Sequence, residues 1–152
     1  MKKLNSYLTF KLGNETFAAN VAHVLHILGI PEITKMPNSP DYLLGVMNLR
    51  GQVIPVIDPH PRFKIEPQET TKDSCVLVLE VNDEDEEEFL IGSLVDTVLE
   101  VIQINPEEIL PPPELGVQFN AQYIEGVIQH GEKFILILNI VQVFSELSSG
   151  LK

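Results

Sequence analysis

Basic residues are scarce. The 152-residue chain has 10 lysines and arginines against 22 aspartates and glutamates, a formal charge of -12. Such a surface repels phosphate backbones and anionic lipid, which argues against nucleic-acid binding and direct membrane binding. Cysteine is scarcer still: Cys75 stands alone and cannot close an internal disulfide. It adjoins Val76-Leu77-Val78-Leu79, the setting of a buried, inert thiol. Long apolar runs are absent. The longest reach about five residues, against the roughly 20 that a membrane-spanning helix needs. No apolar stretch follows the two lysines of the N-terminus, so no signal peptide is expected. Together these absences point to the cytoplasm.

Enzyme signatures are missing too. There is no Gly-rich phosphate loop and no Gly-x-Ser-x-Gly elbow. His23 and His26 are close in sequence, but no cysteine or acid nearby completes a ligand set. His60 lies near Asp58 without a Ser or Cys nucleophile placed with them. The acidic run Asp83 to Glu88 lacks the alternating ligand pattern of a calcium loop and reads as a solvated hairpin tip. We therefore expect no catalytic residue, no metal and no cofactor. The pattern is that of a binding module.

What is present is short strands and tight turns. Leu8, Phe10 and Leu12 alternate with polar neighbours, as a half-buried strand requires. Gly13-Asn14-Glu15 turns the chain, and Thr16-Phe17-Ala18-Ala19 returns. A single helical turn is expected near Asn20 to His23, then a strand from Val24 to Leu28. Ser39-Pro40-Asp41-Tyr42 resembles a helix start of about one turn. Gly45 to Asp58 reads as strand, tight turn and strand. Pro55 cannot donate a ladder hydrogen bond, so its strand is expected to be an edge or to carry a bulge there.

The order then repeats. Val95, Val98 and Val101 lie 74 positions after Val21, Val24 and Ile27. Tyr123, Gly126, Val127, Ile135, Ile137 and Phe144 lie 81 positions after Tyr42, Gly45, Val46, Ile54, Val56 and Phe63. Each repeat supplies about five short strands, which close into a small barrel more naturally than into a sandwich. The expected fold is all-β: two five-stranded barrels packed around a shared hydrophobic core, with short helical turns. The whole chain, 1–152, is read as one unit. Its approximate halves are 6–74, the first barrel repeat, and 75–147, the second, with strand exchange allowed at the termini.

The repeat acts as an internal control. Features in both halves are read as architectural: Gly45 with Gly126, Tyr42 with Tyr123. Features in one half are candidates for function. The first turn holds Asn48, Leu49, Arg50 and Gly51, where the second has Gln129, His130, Gly131 and Glu132. Arg50 thus stands opposite a glycine. Its guanidinium offers a planar fork of donors. It has two readings: an internal bond to a carbonyl or an acid, or a contact at an interface, where arginine is enriched.

Several stretches resemble one family. They are Tyr7-Leu-Thr-Phe-Lys-Leu-Gly13, Val21-x-x-Val24, Pro37, Gly45-Val46-x-Asn48-Leu49-Arg50-Gly51, Pro55-Val56-Ile57-Asp58, Val95-Asp96-x-Val98 and Tyr123-Ile124-x-Gly126. They resemble the CheW-like domain of bacterial chemotaxis, from about Ser6 to Leu147. The resemblance implies two SH3-like barrels and a non-catalytic adaptor. Such an adaptor joins the cytoplasmic tip of a chemoreceptor to the regulatory domain of the histidine kinase CheA. It is cytoplasmic and recruited to membrane receptor arrays through its partners. By analogy Asn48, Leu49, Arg50 and Gly51 lie at or near the receptor-binding groove, with Gly45 shaping the strand beneath and Val24 and His26 also on the receptor side. Apolar surface of the first barrel is expected to meet the kinase. The alternative is a CheW-like scaffold in a non-flagellar pathway: gliding, pili or second-messenger signalling. Two departures stand out. The family commonly has Val-x-Glu-Ile where this chain has Val24-Leu25-His26-Ile27. It usually reads Val-Ile-Asp-Leu-Arg where this chain has Val56-Ile57-Asp58-Pro59-His60.

Overall fold

The computed structural model describes residues 4–66, 69–82, 87–111 and 121–149. The tip of the acidic run, residues 83–86, lies outside them. The strands are β1 (Asn5–Leu12), β2 (Glu15–Asn20), β3 (Val24–Gly29), β4 (Leu43–Leu49), β5 (Gln52–Ile57), β6 (Cys75–Asn82), β7 (Glu88–Val95), β8 (Thr97–Ile104), β9 (Ile124–His130) and β10 (Lys133–Leu138). One helix, α1 (Ile140–Ser149), ends the described chain, and single 3₁₀ turns join several strands.

The strands form two five-stranded sheets, as the repeat implied. One runs β8-β1-β2-β10-β9 and the other β3-β6-β7-β5-β4. The pairing pattern is the same in both. Each has one parallel contact, β2 with β10 and β5 with β7, and the remaining neighbours are antiparallel. The halves 6–74 and 75–147 are units of sequence, and each barrel draws on both. Hairpin β1–β2 lies in the barrel built from β8, β9 and β10. Hairpin β6–β7 lies in the barrel built from β3, β4 and β5. For brevity, the barrel holding β3, β4 and β5 is the first, and the other is the second.

The core follows this exchange. Met47, Ile54, Val56, Val76 and Val78 fill the first barrel alone. Tyr7, Ala18, Ile104, Ile128, Ile135 and Ile137 fill the second alone. A larger cluster spans both: Phe10, Leu12 and Phe17 from one sheet meet Leu77, Leu79 and Ile91 from the other, with Phe63 and Phe144 between them. Burial in this shared layer removes apolar surface that neither small barrel could cover by itself.

Local expectations fared unevenly. The turn Val21–His23 forms a 3₁₀ helix, with Asn20 Oδ1 accepting from Ala22 N at 2.9 Å. Ser39 to Tyr42 makes a hydrogen-bonded turn, Leu43 N to Pro40 O at 3.0 Å, rather than a helix. β5 is an interior strand, not an edge, and the irregularity in its pairing with β4 falls between Leu43 and Gly45. Pro55 is tolerated because the β7 ladder engages only Val56 and Ile57, so the proline sits just before it. Cys75 is half-buried rather than buried. Burial still pushes its thiol up from the ordinary value, which leaves little reactive thiolate. Phe144 was matched to Phe63 by its repeat position, and both are buried. Phe63 stands on the 3₁₀ turn His60–Phe63, whereas Phe144 stands on the longer α1.

Candidate protein-interaction site

The β4–β5 hairpin closes on two residues. Leu49 pairs with Gln52, leaving Arg50 and Gly51 as the loop. Both are left-handed, with φ of 52° and 88°. That is the sign pattern of a type I′ turn, whose twist matches the flanking strands. Asn48 adds a clasp: its Oδ1 accepts from Gly51 N at 2.9 Å. Gly51 suits its position, because glycine enters left-handed space freely. Arg50 does not. A non-glycine residue there costs roughly 1 kcal/mol or more.

The Arg50 side chain is exposed. Among the described residues it forms no hydrogen bond and no ion pair. The internal-bond reading of Arg50 therefore finds no partner there. Leu49 is half-buried against the private core of the first barrel, which anchors the turn. Val53, just past the turn, is exposed at 66%.

Gly45 lies further down β4 with φ of 150°. A Cβ there would stand 2.2 Å from the carbonyl oxygen of Thr34. The missing side chain lets Thr34 and Val46 bridge, with both N–H···O contacts at 2.9 Å. Gly126 admits Leu110 to Val127 in the same way. This close approach is what the two repeat glycines share.

Val24 and His26 lie on β3, the opposite end of the sheet from β4, with β6, β7 and β5 between in hydrogen-bond order. Asn48 to Gly51 come together at the β4–β5 turn, and Val24 and His26 share β3. Val24 packs against the shared core. His26 is half-buried and pairs with Val78. The residues exposed on β3 are Leu25 and Ile27, at 44% and 48%. Sequence reasoning singled out neither Leu25 nor the exposure of Ile27, which served only as a repeat marker. On β8, the repeat equivalent of β3, Leu99 and Val101 are likewise exposed. Both are end strands, so among the described residues each leaves one row of backbone groups without a strand partner. His23, by contrast, is turned inward, with Nδ1 3.1 Å from the carbonyl oxygen of Glu80.

These features (paired exchanged barrels, a strained arginine turn, apolar end strands) suit a surface for holding proteins. Comparison with known proteins bears on this directly. The family model described as CheW-like domain matches residues 6–148. The chain belongs to the CheW-like domain family. Its relatives in that family include the probable chemotaxis protein CheW of Rhizobium etli, 32% identical over 93% of this chain and 88% of that protein. The chemotaxis protein CheW of Klebsiella aerogenes is 31% identical, covering 91% of this chain and 81% of its own. Protein FrzA of Myxococcus xanthus is 30% identical over 81% of this chain and 73% of its own. The crystal structure of the scaffolding protein TtCheW from Thermoanaerobacter tengcongensis superposes with a TM-score of 0.82. It is 30% identical and covers 95% of this chain and 90% of that one. The two-barrel architecture is thus that of a CheW-like scaffold protein.

Proposed function

We propose that this protein is a non-catalytic chemotaxis adaptor that couples the cytoplasmic tip of a chemoreceptor to the regulatory domain of the histidine kinase CheA. It works in the cytoplasm and reaches membrane receptor arrays through these partners. The receptor-contact region is built on Asn48, Leu49, Arg50 and Gly51 above Gly45, with Val24 and His26 on the end strand β3. Exposed apolar surface of the first barrel receives the kinase. The observation that supports this reading most is Arg50: an exposed guanidinium, on a strained left-handed turn, with no partner among the described residues. Strain at a specific residue is a pointer to function. A donor fork held at a turn is well placed to take a carboxylate or carbonyl of a partner.

The test is retention of a receptor-tip fragment and of CheA by the full chain, first separately and then together. Both are expected to be retained. Arg50→Glu should weaken receptor retention by about tenfold, the scale of an interface arginine, with the melting curve and kinase retention unchanged. Equal retention of the receptor tip by Arg50→Glu would sink the role given to Arg50. Failure of the unaltered chain to hold either partner would sink the adaptor reading itself. A second reading is kept because of the likeness to Protein FrzA: the same fold serving a non-flagellar pathway, such as gliding, pili or second-messenger signalling. Retention of that pathway's kinase in preference to a chemotaxis CheA would favour it.

A further inference from the structure

A second feature of the first repeat has no counterpart in the other, and it lies between the barrels rather than on the surface. His60 follows β5 and opens the 3₁₀ turn His60–Phe63. Its side chain is fully enclosed. Each ring nitrogen meets an aspartate. Nδ1 contacts Asp58 Oδ1, which also accepts from His60 N at 2.9 Å. Nε2 lies 2.9 Å from Asp96 Oδ2. Asp96 stands where the chain passes from β7 in one sheet to β8 in the other. Its Oδ2 also accepts from Gly13 N at 2.6 Å, and its own N–H donates to Lys11 O at 3.0 Å. Gly13 and Lys11 belong to the β1–β2 hairpin of the second barrel. One imidazole therefore ties the end of β5 to the crossover, and through it to the other barrel's turn.

The repeat shows that the fold does not need this arrangement. Asn139 and Val141 lie 81 positions after Asp58 and His60, and Ala22 lies 74 positions before Asp96. Asn139 caps α1, accepting from Gln142 N at 3.1 Å, and Asp58 Oδ1 accepts from His60 N at the start of the 3₁₀ turn. A side-chain acceptor at this position is common to both halves. The buried charge triad is not.

We propose that Asp58, His60 and Asp96 form a proton-operated latch between the two barrels, closed while the imidazole carries both ring protons. Ionised carboxylates offer lone pairs only, so both ring nitrogens must donate to satisfy them. A neutral ring would aim a lone pair at one carboxylate inside the protein. Loss of the proton would also raise the triad's buried charge from -1 to -2. Other charged groups stand further off. Lys11 and Glu69 line the cleft beside Asp96. Arg62, in the same turn as His60, donates to Tyr123 Oη at 2.9 Å. Burial alone would push the imidazole down. The hydrogen bonds and charges of Asp58 and Asp96 outweigh it, and the net shift is upward from the ordinary 6.5.

The sign of the effect follows. A group whose pKa is higher folded than unfolded contributes fully below the unfolded value. That contribution is lost as pH rises through the folded value. The latch is therefore closed below the ordinary value of 6.5 and opens as pH rises through the raised folded value. The unfolding equilibrium constant should rise by up to about tenfold per pH unit above roughly 6.5, until folded His60 itself deprotonates.

The test uses the full chain labelled with nitrogen-15. Long-range spectra at pH 6, below the ordinary value, should show both ring nitrogens of His60 protonated. Exchange of the Gly13 amide should accelerate beyond its intrinsic pH dependence as pH rises through the folded value of His60. Asp96→Asn, which keeps a hydrogen-bonding group but removes one charge, should flatten the pH slope of unfolding. A neutral His60 ring at pH 6, or the same slope in Asp96→Asn and the unaltered chain, overturns the proposal. If Asp96→Asn does not fold, ring protonation and Gly13 exchange in the unaltered chain decide it.

Discussion

The β4–β5 and β9–β10 turns are equivalent places in two barrels, closed in two ways. Each loop has two residues, and in each the first is left-handed. At that point the second barrel uses Gly131, with φ of 68°, and the first uses Arg50, with φ of 52°. The next residue differs as well: Gly51 is left-handed, while Glu132 is not. The first turn thus has the sign pattern of type I′ and the second that of type II′, and both give the strand twist a hairpin needs. Either solution closes a barrel of this size. A glycine or asparagine would close the first turn with less strain than arginine. The difference separates what the fold requires from what it only tolerates, and Arg50 falls in the second group. The latch teaches the same lesson in the interior: Asp58 and Asn139 each accept a backbone N–H just downstream, but only Asp58 also holds a histidine.

The most severe way to probe this equivalence is in the shared core. Phe63 and Phe144 occupy matching repeat positions and are both buried. Phe63 also lies tilted against Phe17, with centroids 5.0 Å apart, and meets Tyr123 edge-on at 6.5 Å. Truncating either to alanine should cost about 3–5 kcal/mol. Phe63→Ala should be the worse by roughly 1 kcal/mol, for the aromatic pairs it loses. Urea denaturation would show it. Equal losses would mean that the ring geometry around Phe63 contributes nothing beyond burial.

Much of this architecture was legible in the chain, because period-two alternation marks strands and a constant offset marks a repeat. The offset says which strands are equivalent, but not which ones pair. β2 pairs with β10, whose residues lie more than a hundred positions away, in a parallel contact that leaves no local trace. That is why the barrels could not be drawn from the halves. The arginine turn was visible because its repeat partner is a glycine, and left-handed backbone explains why a glycine stands there. Leu25 and Ile27 were not, since alternation along β3 does not say by itself which of its faces points outward. The latch was half visible. The Asp58–His60 spacing could be read, but Asp96 reaches the ring only through the crossover between sheets. α1 was hidden behind the match of Phe144 to Phe63, which was correct for the side chain and silent about the backbone carrying it.

The two architectural glycines offer a sharper comparison. A Cβ on Gly45 would meet backbone at 2.2 Å, and its φ of 150° is itself hostile to a side chain. A Cβ on Gly126 would meet the Ile109 side chain at 2.4 Å and the Leu110 carbonyl at 2.7 Å, without that backbone strain. Both alanine substitutions should destabilise, Gly45→Ala by about 3 kcal/mol and Gly126→Ala by about 2 kcal/mol. Part of the Gly126 clash is with a movable side-chain methyl, which sets the order. Denaturant midpoints that reverse it would show that the Thr34 segment gives way more easily than Ile109.

The smallest expected effect bears most directly on the comparison of the turns. Arg50→Asn puts into the first turn a residue that tolerates left-handed backbone. The variant should gain roughly 0.5–1 kcal/mol, the strain released. Asparagine is used rather than glycine because glycine would also loosen the unfolded chain and mask part of the gain. Gly131→Arg is the reciprocal change. It adds a side chain where φ is 68° and should lose about 1 kcal/mol. If both signs hold, arginine is a liability to either hairpin taken alone. The adaptor reading then makes a further demand: the more stable Arg50→Asn protein should hold the receptor tip less well. A protein that gains stability and keeps full receptor retention would leave the strain at Arg50 without the role given to it here. One that loses stability would mean that the Arg50 side chain is tied down in the folded protein after all.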